Sequence, residues 1–307
     1  MKKFLLTSGL AIALLATQLG TASADELTEL IDAAAEADYS GRQIVVTFLD
    51  GETTLEIVDV EHAGSLTMVG NSQGQALLGN GKLSGADGGL AVSEWNAAQM
   101  SDKYTAGTPA SIRRLNRQAT AIDVFENGQL RMRRVFDDAT GTPLVTEVYG
   151  GDGKLFRLTS MLEVNSLPAQ LYAGSNHGAG EYAVLLPTAN HDLPDRAADY
   201  FLADAYAGVD DSLQGFYSDG LFSFSLFQIE GRGDSSRFDD ANTLEMDNRQ
   251  YQRLVNPGEM WVTWQSGGST YVLVGDLPPD HLELVLEALP KPGSRNLFSR
   301  LWNGLFG

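Results

Sequence analysis

Four dipeptides ending in glycine, Asp50-Gly51, Asn127-Gly128, Asp152-Gly153 and Gly267-Gly268, sit between runs of β-branched and aromatic residues. No other feature restricts the fold of this chain as much. A two-residue hairpin turn needs positive φ at its centre, which Gly, Asn and Asp tolerate, so each dipeptide predicts a tight link between antiparallel strands. The clearest case is 42–49, where Ile44, Val46 and Phe48 alternate onto one face before Asp50-Gly51 and a returning strand over 53–60. The strand–helix alternation of a doubly wound parallel sheet is absent. The expected fold is mainly β with peripheral helices, an α+β arrangement of antiparallel meanders.

Three helices are expected around those meanders. The first covers 26–37, where Leu27, Leu30, Ile31 and Ala34 recur at helical spacing. The second covers 195–206, with Ala198, Phe201, Leu202 and Ala205 on one stripe and Gly208 to end it. The third is opened by Pro278-Pro279 and closed at Pro290. Further strands are expected over 220–230 and 259–274. The glycine-rich stretch 70–89 reads as a long loop, because glycine makes regular structure costly in entropy. A second break, 168–194, holds Gly174, Gly178, Gly180 and Pro187 and reads as a linker between two domains, 25–167 and 195–290, which a length of 307 residues accommodates.

Residues 1–24 carry Lys2 and Lys3, an apolar run over 4–16 and then Ala22-Ser23-Ala24, the pattern of a removable secretory signal. The apolar run is shorter than the roughly 20 residues of a spanning helix. The mature chain is expected to begin near Asp25 and to reside in the periplasm. Loss of the two leader lysines takes the formal charge from −19 to −21. That acidity argues against nucleic-acid binding, which needs Lys and Arg to displace counterions. The absence of cysteine excludes disulfides, thiolate metal sites and cysteine nucleophiles.

Little in the sequence points to catalysis. His62, His177, His191 and His281 are scattered, with no helical metal-binding pair among them. There is no G-x-S-x-G turn for a serine nucleophile. Gly79-Asn80-Gly81-Lys82-Leu83-Ser84 lacks Walker spacing, 239–250 lacks the glycine of a calcium loop, and Arg232-Gly233-Asp234 reads as a turn. No cofactor and no metal are expected.

Two features stand out instead. Six arginines fall within 112–134, whereas 158–230 sets Arg196 alone against ten carboxylates. Strand alternation places Leu130 and Met132 on one face and Arg131 and Arg133 on the other, either as a solvated face or as a docking surface for an acidic segment or a lipid headgroup. The second feature is the tail, 291–307. Its Leu297, Phe298, Leu301, Trp302, Leu305 and Phe306 form one stripe of a helix, among three basic groups and no acid. Docking on its own domain, lying in a membrane interface and binding a partner protein are all open to it.

Three stretches resemble the MucB/RseB family of sigma-factor regulatory proteins. Tyr39-Ser40-Gly41 resembles the family's start, and Arg131-Met132-Arg133-Arg134-Val135-Phe136-Asp137-Asp138-Ala139-Thr140-Gly141-Thr142-Pro143-Leu144 resembles its strand and Thr-Gly turn, with Asp152-Gly153 following at the next hairpin. Tyr217-Ser218-Asp219-Gly220-Leu221-Phe222, running into Ser223-Phe224-Ser225-Leu226-Phe227, resembles the most specific segment of the family. Phe136 stands where the family tends to carry a Trp or another large aromatic. The resemblance implies a periplasmic binding protein without catalytic activity. Its N-terminal domain would be an open half-barrel antiparallel sheet of LolA-like type with a helix across its concave apolar face. Its smaller β-rich C-terminal domain would help to hold the extracytoplasmic domain of a membrane-bound anti-sigma factor. Such a protein shields the anti-sigma factor from regulated proteolysis until a lipid-like signal loosens the grip.

On this reading Ile44, Val46, Phe48, Leu130 and Met132 are the candidate lipid-binding face. Candidate partner contacts are Arg131, Arg133, Ser218, Asp219, Phe222 and Phe224. A periplasmic lipid or lipoprotein carrier using the same sheet is the alternative, and a hydrolase with a non-contiguous triad is a third reading.

Overall fold

Asp50-Gly51, Asn127-Gly128 and Gly267-Gly268 each hold positive φ at both residues, from 51° to 92°, and close two-residue hairpins as their composition predicts. At Asp152-Gly153 only the glycine is left-handed, in a wider turn where Gly153 N–H donates to Gly150 O. Two further turns of the first kind, Leu115-Asn116 and Asp247-Asn248, contain no glycine. The computed structural model describes residues 34, 37–63, 66–71, 74–79, 90–91, 103–165, 186–188, 191–207, 212–231, 241–256 and 259–293. The leader, the tail stripe and most of the helix expected over 26–37 lie outside these residues.

The strands form two open sheets. The first contains β1 (Tyr39–Leu49), β2 (Glu52–Ala63), β3 (Leu66–Asn71), β4 (Gly74–Gly79), β5 (Leu90–Ala91), β6 (Tyr104–Ala106), β7 (Ala110–Arg114), β8 (Arg117–Glu126), β9 (Gln129–Asp137), β10 (Pro143–Tyr149) and β11 (Leu155–Asn165). Their order is β5-β4-β3-β2-β1-β11-β10-β9-β8-β6, with β7 also paired to β8; all pairs are antiparallel except β4 with β5. The second contains β12 (Leu186–Pro187), β13 (Arg196–Ala197), β14 (Tyr200–Ala207), β15 (Leu213–Ser218), β16 (Ser223–Glu230), β17 (Asn242–Met246), β18 (Arg249–Asn256), β19 (Glu259–Ser266) and β20 (Ser269–Gly275). It runs β12-β14-β15-β16-β20-β19-β18-β17, with β13 on β14. Helix α1 (Pro279–Ala288) starts at its prolines as expected and buries His281, Leu282, Val285 and Leu286.

Four expectations are corrected here. The segment 195–206 is not a helix: a turn with Ala198 at φ 53° joins β13 to β14, and β14 gains a full ladder with β15, a partner that helical spacing cannot reveal. The glycine-rich 70–89 is not one loop, since β3 and β4 pair from Leu66↔Gly79 to Asn71↔Gly74 and backbone hydrogen bonds hold glycine in the ladder. The proposed linker 168–194 contains β12, which already pairs with β14. The strand expected from 220 starts at Ser223, because 219–222 is a turn.

Register separates the faces of the first sheet. Thr47, Arg157, Val148, Met132 and Val124 lie opposite one another in one row, and Val46, Leu158, Glu147, Arg133 and Asp123 form the adjacent row on the other face. The Met132 face packs on the second sheet: Val124, Met132, Val148 and Phe156 share one core with Phe224, Val262, Leu273 and the apolar side of α1. On the Val46 face, Val46 itself and the Ala119, Val135 and Leu144 cluster are buried, while Phe48, Leu55 and Ile57 are exposed.

Bulges interrupt these rows. In β11, Arg42 opposes Glu163 and Gln43 opposes Met161, so Leu162 is an extra residue. Just beyond, a Cβ on Gly41 would lie 2.1 Å from Glu163 O, so the Tyr39-Ser40-Gly41 segment needs glycine for close backbone approach rather than for a left-handed φ. Gly41→Ala is expected to destabilise the fold by about 1–3 kcal/mol, the usual cost of forced overpacking, read as a lower urea midpoint at unchanged m-value.

Candidate functional site

The segment 217–222 builds a turn that satisfies its own backbone. Ser218 Oγ accepts from Gly220 N–H (3.0 Å), Asp219 Oδ1 accepts from Leu221 N–H (3.0 Å) and Phe222 N–H (2.8 Å), and Gly220 takes φ 95°. These bonds fix the Asp219 carboxylate so that Oδ2 points out of the turn. It accepts from the Tyr104 hydroxyl at 2.6 Å, at the start of β6 in the first sheet, and from Nζ of the preceding Lys103 at 2.8 Å. One oxygen of this aspartate shapes the turn and the other joins the two sheets.

A charged cluster extends from that joint. Lys103 also lies 3.3 Å from Glu126 Oε1, at the end of β8 beside the Asn127-Gly128 turn. Glu126 Oε2 meets Arg131 Nε at 3.1 Å and His281 Nε2 at 3.2 Å. Arg131 reaches on to Asp280 Oδ2 at 2.8 Å, and Asp280 Oδ1 accepts from Gly151 N–H at 2.9 Å. A Cβ on Gly151 would sit 2.7 Å from the same carboxylate, so glycine admits the start of α1 to the β10–β11 turn. The Tyr200 hydroxyl lies 2.7 Å from His281 Nδ1. The two ring nitrogens of His281 thus face Tyr200 and Glu126, and the side chain links the two sheets.

Burial and charge set the protonation of this cluster. Burial opposes the charge of Glu126, but the hydrogen bond with His281 and the charges of Lys103, His281 and Arg131 outweigh it and hold the carboxyl down at about 2. Burial likewise opposes the charge on Lys103, and Asp219 and Glu126 more than offset it, so its pKa is raised. The Tyr104 and Tyr200 hydroxyls are pushed up by burial and by nearby carboxylates, and both stay protonated. Asp219, Glu126, Arg131 and Asp280 each meet a partner across the joint, which makes the cluster a latch.

Two other contacts cross between the sheets. Arg157, buried on the packed face, places Nη1 at 2.7 Å from Asp276 Oδ1 and donates from Nε to Thr47 Oγ1 at 3.2 Å. Burial raises the Asp276 pKa against the opposing charge of Arg157. Asp50, in the β1–β2 turn, lies 2.5 Å from Arg253 Nη2 of β18, beside a cleft of about 130 Å³ lined by residues such as Thr47, Leu49 and Leu254.

The sequence-derived candidates divide accordingly. Arg131 is not on an exposed face with Arg133. Val124 opposes Met132 and Phe125 opposes Leu130, so Arg131 is a bulge residue, turned inward and 1% exposed, whereas Arg133 is partly exposed and paired to Asp123 at 2.6 and 2.8 Å. The same bulge puts Leu130 and Met132 on opposite faces. Of the five candidate lipid contacts, Ile44, Val46 and Phe48 share one face, on which Phe48 is exposed and Val46 buried, and Met132 is buried on the packed face. Ser218, Asp219, Phe222 and Phe224 are all buried, in the latch or the core, and so are not surface contacts. The six apolar tail residues lie outside the described residues. Lys103, Tyr104, Glu126, Tyr200, Asp280 and His281 carry no mark in the sequence, because their partners are more than 80 residues away or on another element. Among the described residues, no group of three His, Asp or Glu side chains is placed to hold a metal.

No protein-family model matches the chain, and no curated protein matches it in sequence. Solved structures do. The chain is similar to MucB. In the Pseudomonas aeruginosa MucA/MucB complex the match covers 88% of this chain and 99% of that one, at 17% identity and a TM-score of 0.47. A second MucB structure matches over 87% of this chain and 96% of its own, at 20% identity and a TM-score of 0.47. A LolA superfamily protein from Nitrosomonas europaea matches over 82% and 95%, at 10% identity and a TM-score of 0.19.

Proposed function

We propose that this chain is a periplasmic binding protein that holds the extracytoplasmic domain of a membrane-bound anti-sigma factor and thereby governs its regulated proteolysis. The observation that carries this reading is the position of the 217–222 segment. The stretch with the most specific resemblance to MucB/RseB regulators is the buried joint that sets one sheet against the other. A protein that invests its most distinctive residues in the relative placement of two sheets works through the surface they present together. The acidic balance of the chain suits a basic partner segment and faster encounter with it.

A sensing role for an amphiphile is supported by an exposed apolar stretch of the first sheet. Val46 opposes Leu55 and Ile44 opposes Ile57, giving a cross-strand apolar ladder in which Leu55 is 59%, Ile57 52% and nearby Phe48 39% exposed. Three large apolar side chains exposed together on two neighbouring strands mark a contact surface. The carrier reading draws on the same ladder, and a partner titration separates the two. Residues 25–307, titrated calorimetrically with the extracytoplasmic domain of the anti-sigma factor from the same organism, are expected to show saturable 1:1 binding that weakens with added salt. Absence of binding at high concentration would leave the carrier reading in its place.

A further inference from the structure

Of the six arginines within 112–134, four have their charge taken up inside the fold. Arg117 meets Asp137, Arg131 meets Glu126 and Asp280, Arg133 meets Asp123, and Arg134 lies over the Phe136 ring. Arg113 and Arg114 remain. Arg113 donates from Nη2 to Asn116 O at 3.2 Å and Arg114 from Nη2 to Ser160 Oγ at 2.7 Å, and both acceptors are neutral. Across the hairpin Arg114 faces Arg117, and Arg113 faces the neutral Gln118. On a chain with 40 carboxylates against 21 basic groups, two adjacent arginines that meet no carboxylate among the described residues form a local cationic site.

Both arginines lie on β7, at the edge of the first sheet. β7 pairs with β8 on one side, and among the described residues no strand pairs with its other side. All five of its residues are exposed. The Leu115-Asn116 turn closes on Arg114↔Arg117, so alternation turns the N–H and C=O groups of Arg114, Ile112 and Ala110 toward β8 and those of Ser111 and Arg113 outward. Outward main-chain groups of this kind are a template for one more strand. Charge decides which strand is accepted. Arg113 and Arg114 point to opposite faces, so two consecutive residues of an added strand would oppose them; acidic residues there are attracted and basic ones repelled. A second copy of β7 is disfavoured on the same ground, since it would bring four arginines together.

We propose that β7 accepts an acidic extended segment of a partner protein as an added strand. The added strand runs antiparallel, as do all but one of the pairings in this sheet. Read from its N-terminus, it carries two successive carboxylate side chains opposite Arg114 and Arg113 and an apolar side chain opposite Ile112, which is 37% exposed. This surface is distinct from whatever part of the acidic body takes a basic segment, so the failure of either titration leaves the other reading standing.

The test is a fluorescence-anisotropy titration of residues 25–307 with a fluorescein-labelled peptide, Ser-Asp-Glu-Val-Thr-Val. Two companion peptides accompany it: one with Lys-Lys in place of Asp-Glu, and one N-methylated at the glutamate, which keeps the charge but loses the N–H that would face Arg113 C=O. The acidic peptide is expected to bind saturably, and each companion about tenfold more weakly. Arg113→Glu should weaken the acidic peptide about tenfold and favour the lysine peptide; an unchanged urea midpoint checks that this exposed substitution leaves the fold in place. The peptide comparisons on the unaltered chain stand whether or not that variant folds. Equal affinity for the N-methylated peptide would reduce the contact to charge alone and overturn strand addition. Retained affinity in a folded Arg113→Glu variant, or no binding by the acidic peptide, would equally overturn it. So would binding to phosphatidylglycerol vesicles that depends on Arg113 while the peptide does not bind, which would make this edge a lipid contact.

Discussion

Asp219→Ala is expected to cost about 3–5 kcal/mol and to let the two sheets unfold in separate transitions, a larger loss than any other single change in the latch. The substitution removes the acceptor of four donors at once: Lys103 Nζ, the Tyr104 hydroxyl and the N–H groups of Leu221 and Phe222. None of these can turn to water without opening the joint, because the aspartate is 2% exposed and packed beside Phe222 and His281. Buried donors left unpaired cost about 1–3 kcal/mol each, more when charged, and relaxation recovers part of the sum. Asp219→Asn separates the two roles. Its amide oxygen can still accept the two turn N–H groups, but it has no charge to offer Lys103, so it should lose about half as much and keep a single transition. Urea unfolding followed by tryptophan fluorescence and by far-ultraviolet circular dichroism reads both effects. Coincident, unshifted curves for Asp219→Ala would mean that the apolar core alone couples the sheets.

The hairpins were legible in the sequence because positive φ is a property of a residue, and Asp-Gly or Asn-Gly declares it locally. Leu115-Asn116 shows the limit of that signal. A leucine at φ 51° is imposed by the strands on either side and leaves no local mark. The candidate site was legible only in part, for a related reason. Strand parity assumes one residue per step, and a bulge adds a residue without changing composition, so the parity that placed Arg131 beside Arg133 fails at one position. Ser218-Asp219-Gly220-Leu221 could be recognised as a distinctive segment, but whether it faced solvent or core depended on Lys103 and Tyr104, 116 and 115 positions from Asp219. His281 was one of four scattered histidines until the fold brought Glu126, Asp219 and Tyr200 around it. Alternating residues can announce a ladder, but which of its faces is covered is settled by the other sheet.

Acid should open the same latch through Glu126. Its carboxyl is held at about 2 in the folded chain, below an ordinary value of 4.5. A carboxyl with a depressed folded pKa contributes stability above its unfolded value, and that contribution fades as pH falls toward the folded value. Discounted for solvent screening, that depression contributes on the order of 1–2 kcal/mol, present above about pH 4.5 and lost as pH falls toward 2. Glu126→Gln removes the titration while keeping the shape of the side chain. At pH 7 this variant is expected to be less stable than the parent by about 1–2 kcal/mol, and the gap should close between pH 4.5 and pH 2 as the parent takes up its proton. The parent and the variant share every other carboxylate, so the difference between their urea midpoints across that range isolates this one group from the general acid unfolding of an acidic chain. A gap that stays constant with pH would show that Glu126 acts through packing and hydrogen-bond shape alone. A gap that closes would show that the two sheets are held together by the charge that Lys103, Arg131 and His281 converge upon.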